Sequence, residues 1–496
     1  MIPSKFLFWY ESRLLDNYDK TLDFLKKKNM CVLDAISERK LEYAFERALS
    51  SPAYTNFLKK NKLIPKKLSA RKIKDIVPLT DKRNYIKKYS PEKRCIKGKF
   101  PCAGNIDESA GSSGIPTNWI RSYSEESMLL KSIYFEYKYM FDSKNPTIVL
   151  SAWSSGPWAT GIKFCELVEH FALVKNTTTD MKDIMQTIKK FGSNYHYIIA
   201  GYPIFLENLF EQKFPWKNYS IDIVTGGDGC SVSWPKKIRG KLKNGANIVS
   251  SYGCSDIDIG IGFETPFAQQ IRVESSRNKS LAKALFGDLE VIPMLFQYNP
   301  SMHFIQNLPN NEFAVTHLDF NVASPKIKYN IHDIGQAIKF NDVMNALNKH
   351  SKSLFNKYKS GKYKNPVLHL PFIYIAGRSD GTISLDGGNI FPEQIDIILK
   401  QQFCKETDNF KLKRDEKKKN PFRILIELKN GVKKSNNLKK KIEGVIGTSL
   451  PNLNTDYKES LKNNKDLKPV VELFGKGMGP FDLDDHEIKY NYIEKN

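Results

Sequence analysis

Apolar residues recur at intervals of three and four positions through the first 105 residues, with lysines and other polar residues between them. The stretches LDNYDKTLDFLKKKN and SERKLEYAFERALSSPAYTNFLKKNKL show this spacing clearly. Because an α-helix turns once every 3.6 residues, the pattern predicts amphipathic helices with basic outer faces. A Thr-Asp pair at Thr80 and Asp81 predicts the start of one more helix. Residues 1–105 are therefore expected to form a helical part of a large domain.

Short apolar runs alternate with helical patterns between about residues 106 and 330. The runs NPTIVLSAW, NYHYIIAGYP, IDIVTGGDG and GANIVSSYGCSD predict buried strands that end in loops. Strands and helices that alternate in this way are typical of α/β proteins, in which ligands bind at the loops beyond the strand ends. Two later runs, NEFAVTHLDF and KIKYNIHDIG, predict an antiparallel pair in an appended β region.

The composition changes near the C-terminal end of the chain. KLKRDEKKK, from Lys411 to Lys419, predicts a solvated basic loop or turn. A strand pattern in PFRILIELKNG, a helical pattern from Leu438 to Ile446 and a strand pattern in KPVVELFGKG follow. The predicted fold class is therefore α/β. A large domain of several subdomains, with parallel-type sheets, helices and a small β region, spans 1–105 and 106–379, and a small α+β domain spans 380–496.

Charge adds little to this picture. The 496 residues carry a formal net charge of +23, and lysines greatly outnumber arginines. Such an excess attracts anions, whether nucleic acid, an anionic membrane or a phosphorylated substrate, but a diffuse lysine excess is more often a general solubility charge. Hydrophobic residues make up 41% of the chain, which is enough for a large core and argues against wholesale disorder.

The cysteine and hydropathy patterns indicate the cellular compartment of the protein. The 7 cysteines form no CxxC pair, so neither a zinc ribbon nor a disulfide framework is expected, and a reducing, cytoplasmic location fits. No long apolar segment precedes the first charges and no run of 18 apolar residues occurs, so neither a signal peptide nor a membrane span is expected. His303, His317 and His332 show no metal-ligand spacing.

The first stretch with candidate chemistry is SAGSSG, from Ser109 to Gly114. Serine and glycine supply backbone N–H groups and hydroxyls that surround phosphate oxygens, and glycine allows a close approach. The stretch lacks the GxxxxGK[ST] spacing of a nucleotide-binding P-loop. Taken alone, it is equally compatible with a flexible turn.

Two further loops follow predicted strands. TGGDG, from Thr225 to Gly229, has adjacent glycines that let the chain lie flat against a planar group, although a lone motif of this kind is more often a turn. SSYGCSD carries Tyr252, which can stack on a base, and Asp256, whose carboxylate can hold Mg²⁺. A core tyrosine followed by a turn is the alternative.

The fourth signal is a pair of segments. IHDIG carries Asp333, whose carboxylate can bind ribose hydroxyls, and GRSDGTISLDGGNIFPEQID begins at Gly377 and contains Arg378. Single Asp and Arg residues are usually structural. The second segment is unusual because it combines a Gly-Arg pair, a nearby acidic residue, a Gly-Gly pair and a proline before an acidic helix start.

In this order, the four signals resemble the motifs of the adenylate-forming superfamily of acyl-CoA synthetases and related ligases. SAGSSGIPT is similar to its Ser/Thr/Gly-rich phosphate loop, TGGDG to its adenine-side turn, YGCSD to YGxTE and KYNIHDIG to YxTGDL. GRSDGTISLDGGNIFPEQID resembles the hinge motif GRxDDxIKxxGxxIxPxxIE most closely. SPAYTNFLKK and IVPLTDKRNYIKKY resemble the N-terminal region of the phenylacetate–CoA ligase-like subgroup, which includes capsular-polysaccharide-type relatives.

The resemblance implies an enzyme that uses ATP and Mg²⁺ to convert a small carboxylic acid into an acyl-adenylate with release of pyrophosphate. An acceptor, often the thiol of coenzyme A, then displaces AMP. An amine or the thiol of a separate carrier protein is the alternative acceptor. A non-catalytic nucleic-acid-binding or scaffold protein on the same fold is a second alternative, although no nucleic-acid partner is expected, and the oligomeric state stays open.

The resemblance also assigns roles to individual residues. Those implied at the β- and γ-phosphates are Ser109, Gly111, Ser112, Ser113 and Gly114. Those implied around adenine and the α-phosphate are Gly227, Asp228, Tyr252, Gly253 and Ser255. Asp256 is implied as the catalytic carboxylate and Mg²⁺ ligand, and Asp333 at the ribose hydroxyls with Arg378 nearby. Asp380 is implied at a hinge about which the small domain rotates between half-reactions.

The chain departs from the family pattern at several positions. The phosphate loop ends in Pro116 and Thr117 rather than Pro-Lys, and the glutamate of YGxTE is replaced by an aspartate. Gly381 replaces the second Asp of the hinge motif. The PxxxSGK motif, which carries the adenylation lysine in many relatives, is missing near the C-terminus. Lys476 and Lys489 are the candidates for that lysine, and an ordinary surface lysine is the alternative at each.

The acid-binding pocket is the least defined part of the predicted site. SAWSSGPWATG, from Ser151 to Gly161, occupies the region where family members line the carboxylate substrate. Trp153 and Trp158 can stack on a planar acid, or they can form part of the core. The sequence therefore predicts a substrate class without identifying the acid.

Overall fold

The computed structural model describes residues 4–27, 30–109, 117–141, 143–156, 159–289, 291–386, 388–415 and 420–481. The predicted site residues outside these ranges are Gly111, Ser112, Ser113, Gly114, Trp158 and Lys489. The described chain divides into two units. The large unit comprises the residues up to Glu108 and Asn118–Gly377, and the small unit comprises the chain from Arg378 together with Ser109 and Thr117.

The elements up to Arg378 alternate between helices and strands after a helical start. The helices are α1 (Ser4–Leu15), α2 (Tyr18–Leu25), α3 (Met30–Ala48), α4 (Pro52–Lys60), α5 (Ala70–Ile76), α6 (Pro91–Arg94), α7 (Tyr123–Met140), α8 (Ala159–Val168), α9 (Met181–Phe191), α10 (Pro203–Phe210), α11 (Trp234–Arg239), α12 (Pro266–Ser275), α13 (Lys279–Phe286), α14 (Phe340–His350) and α15 (Lys352–Lys359). The strands are β1 (Gly104–Ser109), β2 (Thr117–Ser122), β3 (Thr147–Ser151), β4 (Leu173–Asn176), β5 (His196–Gly201), β6 (Ser220–Gly226), β7 (Ile248–Cys254), β8 (Asp258–Phe263), β9 (Met294–Gln297), β10 (His303–Asn307), β11 (Glu312–His317), β12 (Tyr329–Ile338) and β13 (Phe372–Arg378).

The helices α1 to α6 confirm the predicted helical start of the chain. Helix α4 begins where the Ser51 side chain accepts a hydrogen bond from the Tyr54 backbone N–H, and Pro52 occupies a first-turn position at which no N–H donor is needed. The amphipathic pattern of α3 buries Leu41 and Phe45 against the rest of the large unit. Local capping and an apolar face together therefore account for these helices.

The helix predicted to start at Thr80 and Asp81 is wrong. The Thr80 backbone N–H donates to the Lys328 carbonyl, and the Thr80 carbonyl accepts from the Asn330 N–H. These bonds place the segment beside β12, and the next helical element is a 3₁₀ helix of 3 residues (Ile86–Lys88). Pairing with a distant strand thus overrides the local capping signal.

An eleven-stranded sheet runs through the large unit in the order β10-β11-β12-β13-β9-β8-β7-β6-β5-β3-β4. Strands β3 to β7 pair in parallel, whereas β7–β8, β8–β9, β9–β13 and β10–β11–β12 pair antiparallel. All residues of β3 and β5 are buried, as expected of parallel strands covered on both faces. Because parallel strands end at the same edge, the loops after β6 and β7 lie side by side.

The predicted antiparallel pair is also confirmed, because β11 and β12 pair antiparallel. These strands do not form an appended β region. They continue the same sheet through β13. The sequence pattern of a strand shows its face but not its neighbours, which explains this difference.

The small unit has its own sheet and core. Its helices are α16 (Pro392–Gln402), α17 (Asn436–Leu453) and α18 (Thr455–Asn463), and its strands are β14 (Ile383–Leu385), β15 (Gly388–Ile390), β16 (Thr407–Arg414), β17 (Phe422–Leu428) and β18 (Val470–Phe474). Strands β17 and β18 pair in parallel across α17, which confirms the predicted strand-helix-strand order. The predicted basic loop at Lys411 instead begins inside β16, because Leu412 is buried in the core.

These elements confirm the predicted fold class, an α/β architecture with a large unit and a smaller α+β unit. Among the described residues, no helix combines the length and apolar character needed to cross a membrane.

Candidate active site

A buried hydrogen bond joins two of the predicted motifs at the edge of the sheet. The Tyr252 hydroxyl, near the end of β7, donates to Asp333 Oδ2 at 2.6 Å, and Asp333 lies in β12. The Tyr252 ring also stacks on Phe296, with 5.5 Å between ring centroids. The stacking on Phe296 and the hydrogen bond to Asp333 together fix the position of the Tyr252 side chain. The same hydrogen bond orients one oxygen of the Asp333 carboxylate.

The glycine turn after β6 lies next to this pair. Gly226 pairs with Ser251 in the parallel β6–β7 ladder, so Gly227 and Asp228 follow directly beside Tyr252 in the neighbouring strand. Gly227 has a φ of 75°, a left-handed conformation that glycine adopts without a steric penalty. The predicted adenine-side residues and Tyr252 therefore share one end of two adjacent strands.

Gly253 is needed because two strands approach closely at the β7–β8 hairpin. A Cβ at this position would lie 2.3 Å from the Ile259 carbonyl oxygen, a separation that van der Waals packing does not allow. The hairpin connection that follows consists of Ser255, Asp256 and Ile257. Gly253 thus permits the tight turn that carries the predicted catalytic carboxylate.

The Asp256 carboxylate is held by two donors to which the motifs assign no role. The Tyr329 hydroxyl donates to Asp256 Oδ2 at 2.7 Å, and Lys82 Nζ lies 3.2 Å from Oδ1. Burial and the neighbouring Asp256 raise the pKa of Tyr329 well above its usual value, so the hydroxyl remains a donor at neutral pH. Lys82 follows Thr80 by two residues, in the segment that pairs with β12. The sequence does not show that this pairing brings Lys82 next to Asp256.

Arg121 holds the backbone of the same turn. Its Nη2 donates to the Ser255 carbonyl at 2.7 Å and its Nη1 donates to the Ile257 carbonyl, on either side of Asp256. Its Nε donates to Asp107 Oδ2 at 2.8 Å. Since Arg121 lies in β2, the strand after the predicted phosphate loop is tied directly to the Asp256 turn.

The Arg121 side chain belongs to a buried ionic network. Lys163 Nζ lies 2.8 Å from Asp107 Oδ2 and 2.9 Å from Glu126 Oε1. Burial by itself raises the pKa of Asp107, but Lys163 and Arg121 outweigh burial and hold that pKa below its usual value. Sequence reasoning missed this network. The signal available in the sequence was Arg121 itself, a charged residue within β2, a strand whose residues are mostly buried.

Lys326 is a second cation near Asp256 that sequence reasoning missed. It is buried, and its Nζ lies 5.1 Å from the Trp119 ring centroid. Burial, reinforced by the nearby Arg121, lowers the pKa of Lys326 to about 7. Its charge therefore depends on small changes of environment around neutral pH.

Trp153 and Ser109 are two further residues of the predicted site. Trp153 is buried in the core, with its ring edge-on to Tyr202 at a centroid separation of 4.9 Å, and its indole N–H donates to none of the described residues. Its role in an acid-binding pocket stays a prediction. Ser109 is the last residue of β1, immediately before the predicted phosphate loop, most of which lies outside the described residues.

The small unit contains the predicted hinge and the candidate lysine. Arg378 Nη2 lies 2.7 Å from Asp380 Oδ2, and the Thr382 backbone N–H donates to Asp380 Oδ1 at 3.1 Å. Lys476 pairs with Asp408, and its Nζ lies 3.5 Å from Glu427 Oε2. The hydrogen bond that Lys476 donates to Asp408 raises the pKa of Lys476, so its side chain is a charged donor at neutral pH.

Comparisons with known proteins bear on the fold. No family model matches the sequence, and no curated protein matches it. Among solved structures, 2-hydroxyisobutyryl-CoA ligase in complex with 2-HIB-AMP and CoA, in the thioesterification state, is similar with a TM-score of 0.61 and 13% identity over 93% of this chain and 89% of the ligase. An open conformation of the same ligase with 2-HIB-AMP and CoA gives a TM-score of 0.50 and 13% identity over 93% of this chain and 91% of the ligase.

At this level of identity the similarity defines the fold. The chain has the fold of the adenylate-forming acyl-CoA ligases, with a large N-terminal and a smaller C-terminal part. Function rests on the site itself, since one fold can carry many chemistries.

Proposed function

We propose that the protein activates a small carboxylic acid with ATP, forming an acyl-adenylate and pyrophosphate, and then transfers the acyl group to coenzyme A. The observation that carries the proposal is the Tyr252–Asp333 hydrogen bond, which joins two motifs that the sequence separates by 81 residues. The Asp256 turn and the glycine turn lie at the ends of neighbouring strands beside it. A 2-hydroxyisobutyryl-CoA ligase of the same fold, solved with 2-HIB-AMP and CoA, supports this reading.

The nucleotide would be recognised by groups that point in fixed directions. Asp333, oriented by Tyr252, would accept hydrogen bonds from the ribose hydroxyls. Gly227 and Asp228 form one wall of the adenine site, and the Tyr252 ring forms another. Ser109 and the serine-glycine loop after it contribute hydroxyl and N–H donors to the phosphates.

The first half-reaction joins the acid to the α-phosphate. One oxygen of the carboxylate attacks the α-phosphorus, and the bond from that phosphorus to the pyrophosphate oxygen breaks. Negative charge accumulates on the phosphate oxygens in the transition state, so preorganised cations accelerate the step. Lys82, which pairs with Asp256, is placed to supply such charge without the lysine that usually follows the phosphate loop.

The donor set at Asp256 fits Mg²⁺. A carboxylate has about four lone-pair sites, and the two donors at Asp256 leave capacity for a hard cation. Proteins usually bind Mg²⁺ through one or two carboxylates together with substrate phosphates. When bound, Mg²⁺ would neutralise phosphate charge, and Asp256 would hold it in a position that Tyr329 and Arg121 maintain.

The second half-reaction transfers the acyl group. The thiolate sulfur of coenzyme A attacks the acyl carbon, a thioester bond forms, and AMP leaves with the carboxylate-derived oxygen. We assign Asp380 to the hinge and Lys476 to the adenylation step, where the lysine would exchange its present carboxylate partners for phosphate oxygens. We also assign the chain to the phenylacetate–CoA ligase-like subgroup, on its N-terminal motifs, and to the cytoplasm.

ATP–pyrophosphate exchange with a panel of carboxylic acids tests the proposal. We expect exchange that depends on one class of acid and on Mg²⁺. Bound ATP with no exchange for any acid would count against adenylation and favour a non-catalytic protein. The trapped acyl-adenylate is then offered coenzyme A, amines and carrier proteins. Release of AMP only with an amine or a carrier thiol would overturn the assignment of coenzyme A.

A further inference from the structure

Two histidines face each other on neighbouring strands, away from the groups assigned to the nucleotide. His303 in β10 and His317 in β11 are direct partners in the antiparallel ladder, with 5.2 Å between ring centroids. Asp258, the first residue of β8, approaches them, and its Oδ2 lies 3.7 Å from His317 Nε2. One ligand atom from each of the three side chains lies within 4.8 Å of the others.

All three side chains are buried, and two ring nitrogens have no hydrogen-bond partner. His303 Nε2 and His317 Nδ1 contact no donor or acceptor among the described residues. A buried polar atom without a partner costs about 1–3 kcal/mol, so two such atoms at one place call for an explanation. Burial lowers the pKa of His303 to about 4 and the pKa of His317 well below its usual value, so both rings are neutral, as metal ligands must be.

Both a carboxylate and several cations act on this cluster. The two cations that act on His303 are already paired, Lys40 with Glu11 and Arg121 with Asp107. Asp258 Oδ1 accepts a hydrogen bond from the Ile259 N–H at 2.7 Å, which orients the carboxylate. The cluster therefore combines one oriented carboxylate with two neutral imidazoles, and Lys326, whose pKa is lowered to about 7, is a third cation that acts on His317.

A cavity reaches the cluster from the surface. It has a volume of about 380 Å³ and is lined by His317, Asp319 and Lys40 together with apolar side chains that include the half-exposed Trp9. The buried Oδ2 of Asp319 has no partner among the described residues. The cavity thus gives an ion a path to His317 and leaves room for water beside it.

We propose that Asp258, His303 and His317 bind a divalent first-row transition metal ion, with water from the cavity completing its coordination. Two imidazoles and a carboxylate form a donor set that suits Zn²⁺ and Fe²⁺. Metal–ligand distances of about 2.0–2.2 Å place such ligands roughly 3.3 Å apart. Side-chain adjustments of about 1 Å bring the three ligand atoms to that separation from their present positions.

The site would position the catalytic turn. Asp258 follows Asp256 by two residues, and Arg121 donates to the carbonyls of Ser255 and Ile257 on either side of Asp256. A metal bound to Asp258 would join β8 to the β10–β11 hairpin and restrain the turn that carries Asp256. This role does not depend on the identity of the acid or of the acceptor.

Metal binding by the full-length protein tests the inference. The purified protein is stripped with a chelator and titrated with Zn²⁺, and bound metal is measured by mass spectrometry. We expect about one Zn²⁺ per chain, with His303→Gln and His317→Gln each weakening binding by about 100-fold or more. His196→Gln is the matched control, because His196 is buried and bonds Ser220 outside the cluster. We expect this control to bind as the wild type does.

A second measurement covers variants that fail to fold. Wild-type protein loaded with Co²⁺ should show visible absorption bands typical of nitrogen and oxygen ligands in a four- or five-coordinate site. Less than about one tenth of an ion per chain with both Zn²⁺ and Co²⁺ would overturn the proposal. Equal binding by His303→Gln, His317→Gln and His196→Gln would overturn it as well.

Discussion

At the scale of single residues, the Tyr252–Asp333 pair carries most of the nucleotide assignment. A buried carboxylate that accepts a hydrogen bond from a neighbouring hydroxyl keeps a defined direction, and each carboxylate oxygen can accept more than one hydrogen bond. Hydrogen bonds to a charged group contribute about 1.5–3 kcal/mol each, and the ribose offers two hydroxyls. Substitution of Asp333 is therefore the most direct test of the proposed ribose contact.

The substitution Asp333→Ala should abolish ATP binding without unfolding the protein. We expect affinity for ATP, measured by titration calorimetry, to fall by about 100-fold or more because the ribose hydroxyls lose a charged acceptor. The control is Asp342→Ala, which removes an exposed carboxylate from α14 and should leave ATP binding unchanged. Full pyrophosphate exchange activity in Asp333→Ala would refute the ribose assignment.

A second prediction concerns the buried cation Lys326. Its pKa is lowered to about 7 in the folded protein from an ordinary value of 10.5, so between these pH values the unfolded chain binds a proton that the folded chain does not. Stability must therefore rise with pH through this window. We expect Lys326→Met to unfold with a free energy about 2 kcal/mol higher at pH 7, since the buried amine is replaced by an apolar chain.

The denaturant-unfolding free energy of both proteins from pH 7 to about pH 10 checks this prediction. The advantage of Lys326→Met should shrink as the pH rises, because the unfolded wild type progressively loses its extra proton. A difference that stays constant, or grows, with pH would show that Lys326 is charged in the folded state.

At the scale of elements, the site depends on how closely β7 and β8 approach at their hairpin. Gly253→Ala would press a methyl group against the Ile259 carbonyl, so it should destabilise the protein by about 2 kcal/mol and displace the Asp256 turn. Gly444→Ala is the control, because the added methyl group in α17 meets no atom within 4 Å. It should stabilise the protein by about 0.5–1 kcal/mol.

Thermal unfolding and pyrophosphate exchange measured on both variants check the hairpin prediction. Gly253→Ala should lose both stability and exchange, whereas Gly444→Ala should lose neither. Unchanged exchange in Gly253→Ala would mean that the position of the turn does not matter for the reaction.

The strands of the parallel sheet could be predicted from their apolar runs, because burial on both faces leaves a local signature. The helical character of the first part of the chain could be predicted as well, because apolar residues three and four positions apart mark one buried face of a helix. The segment at Thr80 could not, since its backbone pairs with β12 and the distant strand outweighs the local cap. This pairing also brings Lys82 next to Asp256. The wrong helix prediction at Thr80 and the failure to predict the contact between Lys82 and Asp256 therefore have the same cause.

The clustering of His303, His317 and Asp258 shows the same limit. The spacing of the histidines indicates no metal site, and only the register of β10 with β11 and the position of β8 in the sheet bring the three side chains together. In contrast, Tyr252, Asp333 and Gly253 could be proposed from motifs, because their chemistry is tied to residues on either side. Their contacts became visible only with the sheet order.

At the scale of the whole molecule, Tyr252, Asp256 and Asp333 belong to the large unit, whereas the candidate adenylation lysine belongs to the small unit. Lys476→Ala should slow adenylation by about 100-fold, because one cation is lost from the charged transition state. Thioester formation from supplied acyl-adenylate should be spared. The control is Lys468→Ala, an exposed lysine of the same unit. Single-turnover kinetics of the two half-reactions check this, and equal loss of both would indicate a folding defect.

The central claim is that the carboxylate of the acid is joined to AMP before transfer. The most direct test uses an acid that supports exchange, labelled with oxygen-18 in both carboxylate oxygens, together with ATP and coenzyme A. Mass spectrometry of the products should find one labelled oxygen in AMP and none in pyrophosphate, because the acyl-adenylate breaks at the acyl carbon. Unlabelled AMP, or ADP as the product, would contradict the account.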